Sequence, residues 1–382
     1  WTSIVLPYAE PGRVFYVQVE EYYSSAIHSI YDLAVTQTAS GDWESEPNET
    51  RALANDIKVN QTYHGITIND EDTDFFRFQT GVQGYFQVQL AHNEANTSDQ
   101  GGWYLNVMDE TGKTLTSESG IGKNWTSVIL PYAKPGRVFY IQVGKYYSSA
   151  VHSVYDLKVA QKAAANWESE PNGTVKEATP IKAGKTYHGI TGMRGDEDFY
   201  KLNVPASGKM SVKLSSSDTN QVNNVGSGWS VVVYDRKSNV VAGLDQIATE
   251  NTFSLDVKKG TYYVKVKGVY ESSAVTCQYE LLANYAKAPA KPKISSIKAK
   301  KRAAVVKWKK VPGANGYYVY RSTAKKAGYK KVKTLKGASA VSYTNKKLIT
   351  GRKYYYRIAA YKKVKGMTVT SPYSAVKSVR VK

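Results

Sequence analysis

Cysteine is almost absent from this 382-residue chain, which contains one, Cys277. A single thiol permits no internal disulfide and excludes a zinc site built on cysteines. Cys277 lies in an alternating run, VTCQYELL, which favours an inert, half-buried thiol. No apolar run approaches the roughly 20 residues that a membrane-spanning helix needs. The sequence therefore predicts neither a disulfide framework nor a membrane span.

Catalytic motifs are also missing. The sequence has no G-x-S-x-G elbow, no H-E-x-x-H zinc motif and no Walker phosphate loop. The histidines include two repeated pairs, His28/His152 and His64/His188, each among hydroxyl and aromatic neighbours. Such residues are typical of ordinary strands. We therefore predict that this region is not an enzyme.

Acidic residues are missing from the last quarter of the chain. Residues 291–382 contain 27 Lys and Arg and no Asp or Glu, and they follow the linker-like run NYAKAPAKPK. The other 290 residues hold 25 basic and 32 acidic side chains. This change in composition predicts a separate, strongly basic C-terminal domain.

The rest of the chain is an internal repeat with a period of 124 residues. WESEPN occurs at 43–48 and at 167–172, and WTSIVLPYAEPGRVFYVQV from Trp1 is nearly repeated from Trp125. A unit of about 120 residues is domain-sized, not a solenoid rung. We expect a fragment of a longer chain with four parts: the C-terminal tail of a copy whose first two-thirds are absent (1–41), two repeats (42–162 and 166–287) and the basic domain (291–382).

The repeats have the pattern of β-strands. Apolar and polar residues alternate in FFRFQT, YFQVQLA, WYLNVMD and VYDLKVA, and turns such as DETGK separate these runs. Short strands at this spacing are typical of antiparallel sandwiches. The predicted fold class is all-β, with tandem jelly-roll-like sandwiches followed by an immunoglobulin-like sandwich.

The repeat motifs resemble the bacterial pre-peptidase C-terminal domain. The resemblance depends on E-x-E-P-N, then D-x-D-F-[FY], then G-x-[FY]-[FY]-x-x-V, over residues 43–162 and 167–287. That family is a small β-sandwich appended to secreted bacterial peptidases and other extracellular proteins. Its collagenase members bind calcium and collagen, which implies extracellular binding functions for this chain.

Acidic and amide side chains in these motifs predict a Ca²⁺ site. Residues at alternate positions of an extended segment face the same side, and Ca²⁺ takes six to eight oxygen ligands. If the two segments lie side by side, their oxygens converge, and a cation removes the repulsion between the carboxylates. The predicted ligands are Glu44, Glu46, Asn48, Asp72 and Asp74 in the first repeat, and Glu168, Glu170, Asn172, Asp196 and Asp198 in the second.

Another interpretation makes these residues solvated turn residues, with the asparagine capping a turn and the proline fixing its direction. The position after the asparagine is acidic in the calcium-binding collagenase modules. It is Glu49 in the first repeat but Gly173 in the second. This departure weakens the prediction for the second site.

The basic domain resembles a bacterial fibronectin type III domain over its whole length, on VVKWKKVPGANGYYVYRS and SYTNKKLITGRKYYYRIAAYKK. The resemblance implies that Trp308 is the buried tryptophan of an early strand. It also implies that Tyr354, six residues after Leu348, is the tyrosine-corner residue of a late strand.

A charge of this density predicts a polyanionic partner. Self-repulsion destabilises such a domain, and a polyanion releases counterions when it binds. Teichoic acids and glycosaminoglycans are the expected partners, with extracellular DNA as a third; the alternative is that the lysines only maintain solubility. The candidate contact residues are Lys300, Lys301, Arg302, Lys309 and Lys310.

Tyrosines after a late strand are the remaining candidates. Tyr146 and Tyr147 are adjacent, so one of them should face solvent. Exposed tyrosines of this region contact the ligand in the collagenase relatives, which implies that Tyr146 or Tyr147 binds protein fibres or glycans. The alternative is a packed or merely exposed tyrosine.

These predictions together describe a non-catalytic stalk and adhesion region of a secreted or cell-surface bacterial protein. One alternative is the accessory C-terminal region of a secreted peptidase or other hydrolase whose catalytic domain precedes it. Another is a self-assembling surface filament, in which a neighbouring molecule completes the partial first copy.

Overall fold

The computed structural model describes residues 6, 12–20, 30–69, 71–82, 84–92, 102–122, 125–132, 135–146, 154–191, 195–216, 228–269 and 278–382. Regular structure in these ranges is entirely β, which confirms the predicted fold class, and none of them contains a helix long and apolar enough to cross a membrane. The chain divides into two compact units, Trp1–Glu170 with Gly192–Arg194, and Pro171–Thr191 with Gly195–Lys382.

The first repeat is a two-sheet sandwich. In chain order its described strands are β1 (Asn55–Asp56), β2 (Thr62–Ile66), β3 (Thr73–Gln79), β4 (Gly84–His92), β5 (Trp103–Asp109), β6 (Thr114–Ile121), β7 (Thr126–Tyr132), β8 (Val138–Lys145) and β9 (Val154–Ala163). One sheet has the order β1-β3-β8-β5-β6 and the other β2-β9-β4-β7. The β1–β3 pair is parallel and the other pairs are antiparallel.

Aromatic side chains fill the space between these two sheets. Along β5, alternate residues beginning with Trp103 are buried, as the alternating sequence predicts. Phe86 on β4 packs edge-on against Phe78, with ring centroids 5.0 Å apart, and lies 4.7 Å from the ring of Phe139. All four of these side chains are almost wholly buried. The core therefore joins strands of both sheets.

The second repeat has the same topology. Its described strands are β10 (Thr179–Ile181), β11 (Thr186–Ile190), β12 (Glu197–Val204), β13 (Gly208–Ser216), β14 (Trp229–Asp235), β15 (Val240–Ile247), β16 (Glu250–Val257), β17 (Gly260–Gly268) and β18 (Gln278–Lys287). The sheet orders are β10-β12-β17-β14-β15 and β11-β18-β13-β16. Each strand therefore occupies the position of its counterpart nine strands earlier.

The basic domain is a smaller sandwich of different topology. Its strands are β19 (Ile294–Lys300), β20 (Ala303–Trp308), β21 (Gly316–Ser322), β22 (Lys330–Lys336), β23 (Ser342–Asn345), β24 (Lys353–Val364), β25 (Met367–Thr370) and β26 (Lys377–Arg380). One sheet is β19-β20-β23, and the other is β22-β21-β24-β25 with β26 also paired to β24.

The two residues expected to mark this sandwich are where the sequence predicts them. Trp308 is buried at the end of β20. Tyr354 is buried at the start of β24, and its hydroxyl accepts a hydrogen bond from the backbone N–H of Ile349 at 3.2 Å. This bond to a backbone group just upstream is the tyrosine-corner arrangement.

The N-terminal segment is the part that the sequence predicts to be the C-terminal tail of a partial repeat (1–41). Its described residues, 12–20 and 30–40, form no strand, and Tyr16 and Ile30 are 94% and 97% exposed. One period later the matching residues form β8 and β9, which are interior strands flanked on both sides. Residues 1–41 contain no counterparts of β2 to β5, the strands that flank them. The described part of the segment therefore has the apolar pattern of strands but forms none.

Candidate metal centre

The first WESEPN motif lies against strand β2. Trp43 forms an isolated bridge with His64, and the backbone N–H of Glu44 donates to the His64 carbonyl at 2.9 Å. The side chain of Glu44 turns inward, where its Oε1 accepts a hydrogen bond from the Ile66 N–H at 2.6 Å. Glu44 is 1% exposed. The backbone pairing thus places a carboxylate inside the sandwich.

Strand β3 brings Asp74 to the same place. The Phe75 N–H donates to the carbonyl of Asn48 at 3.0 Å, which ties β3 to the motif. The hydroxyl of Tyr155, on β9 of the other sheet, lies 2.6 Å from Asp74 Oδ2 and 3.0 Å from Glu44 Oε2. A hydroxyl carries one proton and donates to only one carboxylate at a time. The other contact therefore needs a proton on the carboxyl group.

Three carboxylates converge at this point. Glu44, Glu46 and Asp74 each offer an oxygen within 4.8 Å of the others. Asn48 lies among them, and its Nδ2 donates to Glu44 Oε2 at 3.4 Å while its backbone N–H donates to Glu46 Oε2 at 3.2 Å. All four residues are buried. The structure therefore brings together four of the five predicted ligands of the first repeat.

Asp72 is the fifth predicted ligand and is not a member of this group of three carboxylates among the described residues. It is also buried, and its Oδ2 accepts a hydrogen bond from the Ile68 N–H at 2.5 Å. Its charge still acts on the group, because it raises the pKa values of Glu46 and Asp74. Asp72 therefore adds to the negative potential of the group.

Burial changes the protonation of these carboxyl groups. Loss of hydration raises the pKa of Glu44 to about 8 and that of Glu46 to about 7. The pKa of Asp74 is also raised well above its usual range, first by burial and then by the charge of Glu44. These shifts have the sign expected for carboxylates packed together away from water. In the protein without a cation, the group therefore holds protons at neutral pH.

Three buried oxygen atoms indicate which kind of ligand the carboxylate group could bind. Glu46 Oε1, Asn48 Oδ1 and Asp74 Oδ1 are buried and accept no hydrogen bond. Buried acceptors without a donor cost free energy. A cation held by the convergent carboxylates would offset this cost for the oxygens that it contacts. Because the available atoms are carboxylate and amide oxygens, the set fits a hard cation such as Ca²⁺ and does not suit zinc, which prefers nitrogen and sulfur.

The predicted ligands of the second repeat are divided between the two compact units. Glu168 and Glu170 belong to the first unit, and Asn172, Asp196 and Asp198 to the second. Glu168, Asn172 and Asp198 are fully buried, like Glu44, Asn48 and Asp74, whereas Glu170 and Asp196 are half-buried.

A buried tyrosine again meets the aspartate in the second repeat. Within the second unit the hydroxyl of Tyr279 donates to Asp198 Oδ2. Tyr200, which replaces Phe76 of the first repeat, places its own hydroxyl 2.7 Å from that of Tyr279. The pairing of tyrosine with aspartate is therefore common to both repeats, and the second repeat adds a further hydroxyl to it.

The tyrosine is the part of the centre that the motif analysis missed. Tyr155 and Tyr279 are wholly buried, and both lie in the repeated run that ends in Y-[DE]-L. Repetition of this tyrosine was a signal in the sequence. Its contact with the acids depends on how the two sheets face each other, which alternation along a strand does not define.

The predicted basic contact residues are all exposed but form two groups. Lys300, Lys301 and Arg302 lie at the turn between β19 and β20, while Lys309 and Lys310 follow β20. In the pairing of these strands Lys300 is opposite Ala303 at one end and Ile294 is opposite Trp308 at the other. The structure therefore separates the five residues by the length of a hairpin.

Of the two predicted ligand-binding tyrosines, Tyr146 is 47% exposed and lines a groove on the first repeat. Tyr147 lies outside the described residues.

No protein-family model matches the sequence, and no curated protein matches it significantly. Among solved structures, the pre-peptidase C-terminal domain of a Bacillus anthracis collagenase is 22% identical, covers 31% of this chain and 100% of that domain, and has a TM-score of 0.24. An Fn3-like protein from Clostridium thermocellum is 28% identical, covers 23% of this chain and 86% of that protein, with a TM-score of 0.19.

A β-1,2-glucanase from Parabacteroides distasonis is 16% identical over 51% of this chain and has a TM-score of 0.22. This chain spans 32% of that enzyme's length. Both families named from the sequence motifs are therefore represented among the structural neighbours, each by single domains.

The pKa shifts predict how acidity affects the cation-free protein. The folded-state pKa values of Glu44 and Glu46 lie above the ordinary value of 4.5, so the folded state holds protons that the unfolded chain releases. The stabilisation from these protons is complete below about pH 4.5 and is lost as the pH rises to about 8. In chelator, calorimetry should show a melting temperature that falls by several degrees across this range.

The Glu44→Gln variant identifies the source of the effect. Glutamine keeps the shape of the side chain but does not titrate, so the fall between pH 5 and pH 8 should become smaller. A wild-type melting temperature that is constant or rises over this interval would contradict the assignment.

Proposed function

We propose that the chain is a non-catalytic, extracellular spacer and binding region in which Ca²⁺ stabilises the repeats. The observation that carries this proposal is the set of three buried oxygens without donors among convergent carboxylates of the first repeat. Buried acceptors without donors and buried carboxylates both make the free energy of folding less favourable than an apolar or fully hydrogen-bonded core would. A bound cation reverses this cost, because only the folded state assembles the ligands.

The chemistry favours Ca²⁺ over Mg²⁺. Glu44, Glu46 and Asp74 supply carboxylate oxygens and Asn48 an amide oxygen, all from the protein itself. Mg²⁺ keeps several waters and demands strict octahedral geometry, whereas Ca²⁺ accepts dense and irregular oxygen cages. Bound Ca²⁺ would therefore stabilise the contact between the motif at residues 44–48 and strand β3.

A second function, binding of polyanions by the basic domain, is supported by its charge. Among the described residues no ion pair involves residues 291–382, which contain no Asp or Glu. Their charges are therefore not neutralised by carboxylates of the same domain and are available to an external anion. The proposed partners are teichoic acids of a cell wall or glycosaminoglycans of a host.

One arginine of this domain is held in place by aromatic rings. The guanidinium carbon of Arg357 lies 3.6 Å from the ring centroid of Tyr373 and 4.3 Å from that of Tyr329. Its Nε is buried and donates to no acceptor. Cation–π contacts hold the group without neutralising it. The rings therefore hold the Arg357 guanidinium in a fixed position, where it could bind an oxoanion group of a polyanion.

Calcium binding is tested on the whole chain. We expect the melting temperature to be several degrees higher in 1 mM CaCl₂ than in chelator. A Glu46→Gln, Asp74→Asn double variant should lose one site in calorimetric titration. In chelator at pH 8 it should melt at or above the wild-type temperature, because it removes two buried carboxyl groups that repel each other and Glu44 when they ionise. The exposed Glu71→Gln serves as control. Identical wild-type melting with and without calcium would refute the proposal.

Polyanion binding is tested by its dependence on salt. The chain should bind immobilised heparin and lipoteichoic acid at about 50 mM NaCl, with log affinity falling linearly as log salt rises. Changing Lys300, Lys301 and Arg302 to glutamine should reduce the slope, and so should the same change at Lys309 and Lys310. Lys213→Gln, in a lysine paired with Glu250 in the second repeat, should not. If the chain does not bind these polymers, or if its affinity does not change with salt, the polyanion proposal is wrong and the lysines only maintain solubility.

A further inference from the structure

A groove on the first repeat is not part of the carboxylate site or of the basic domain. It is an open depression on the five-stranded sheet, with a volume of about 430 Å³. Its lining combines two aromatic rings with short polar side chains: Tyr104, Asn106, Ser117, Glu118, Ser119 and Tyr146.

A glycine leaves room for the ring of Tyr104, which lines the groove. On β8, Gly144 is paired with Tyr104 on β5. A Cβ at Gly144 would lie 2.4 Å from the Tyr104 hydroxyl oxygen and 2.5 Å from the adjacent ring carbon. The ring therefore lies across the backbone of β8, in space that any other residue would fill. Glycine at this position keeps Tyr104 flat against the sheet.

Hydrogen bonds orient the other side chains. The Nδ2 of Asn106 donates to Gln142 Oε1 at 3.0 Å, and the Nε2 of Gln142 donates to the Tyr104 hydroxyl at 3.5 Å. The backbone N–H of Tyr146 donates to the Gly102 carbonyl at 2.6 Å. The pairing of β5 with the edge strand β6 shifts register between Trp103 and Leu105. These contacts organise the groove before any ligand arrives.

The second repeat provides an internal comparison, because its strands have the same pairing. There Ser230 and Lys267 form the pair that corresponds to Tyr104 and Gly144. Leu244 stands opposite Val231 where Glu118 stands opposite Leu105. The position of Asn106 is Val232 and that of Tyr146 is Val269. The tyrosines, the amide and the acid of the groove are thus replaced together, while the core Trp103 is kept as Trp229.

The combination of side chains indicates the ligand. A pyranose ring offers an apolar C–H face and a rim of hydroxyl groups. Tyrosine rings suit the face, and carboxylate, amide and hydroxyl groups suit the rim. Glu118 would repel an acidic polymer. We propose that this groove binds a neutral saccharide, with Tyr104 and Tyr146 packing on the sugar ring and Glu118 and Asn106 hydrogen-bonding to its hydroxyls.

This site is independent of both calcium and polyanion binding. Partial burial raises the pKa of Glu118, which agrees with a carboxyl group that is shielded from water on one side. Hydrogen bonds from sugar hydroxyls to such a group are stronger than those between neutral partners. Recognition should therefore persist at salt concentrations that abolish polyanion binding.

The test uses the whole chain on an array of neutral oligosaccharides of glucose, galactose, mannose and N-acetylglucosamine, at 0.5 M NaCl. Titration calorimetry then measures the strongest binder. We expect Tyr104→Ser and Glu118→Leu, which install the residues of the second repeat, each to weaken binding at least tenfold. Glu118→Gln preserves size and serves where Glu118→Leu fails to fold. Glu110→Gln, in the turn between β5 and β6, should bind as the wild type does.

The outcomes are distinguishable. Loss of binding in the groove variants, with melting temperature and calcium response unchanged, supports the proposal. Three results would overturn it: no binding to any neutral oligosaccharide, binding unaffected by Tyr104→Ser and Glu118→Gln, or groove-dependent binding only to gelatin or to acidic glycans.

Discussion

Withdrawal of carboxylates from water is the interaction on which the first repeat depends. Glu44 and Asp74 come from separate segments and meet beneath the hydroxyl of Tyr155, which belongs to the opposite sheet. The group thus lies where the two sheets face each other, beside the aromatic core. Its charges must be neutralised by protons or by a cation before the sheets can close over them. Folding of this repeat is therefore coupled to protonation of these carboxyl groups, or to the cation proposed to replace the protons.

The ligand set shows how far sequence reasoning reached. Alternation placed Glu44, Glu46 and Asn48 on one side of an extended segment, and the structure has them together with Asp74. Asp72 obeys the same alternation but accepts a bond from its own loop. Alternation defines which side of a strand a residue faces, but not which backbone groups compete for its side chain.

Features that span strands were beyond the sequence. Trp308 and Tyr354 were predicted from the resemblance to fibronectin type III domains, and Tyr354 bonds to a backbone group just upstream of its own strand. The rings around Arg357 come from separate segments, and Tyr104 lies flat only because Gly144 is its partner across the sheet. Such sites depend on the register of strand pairing, because a shift of one residue would turn these side chains to the other face of the sheet. Residues 12–20 and 30–40 make the same point, because they have the apolar pattern of strands but form none.

The composition of the basic domain has a consequence for the conditions in which it works. Residues 291–382 contain no Asp, Glu or His, so none of their side chains changes charge between about pH 4 and pH 9. An acidifying environment, such as a fermenting culture or an inflamed tissue, would leave this surface as cationic as before. The carboxylate group of the first repeat titrates within the same interval. The chain thus joins a module whose charge is constant over this pH range to one whose carboxyl groups change protonation within it.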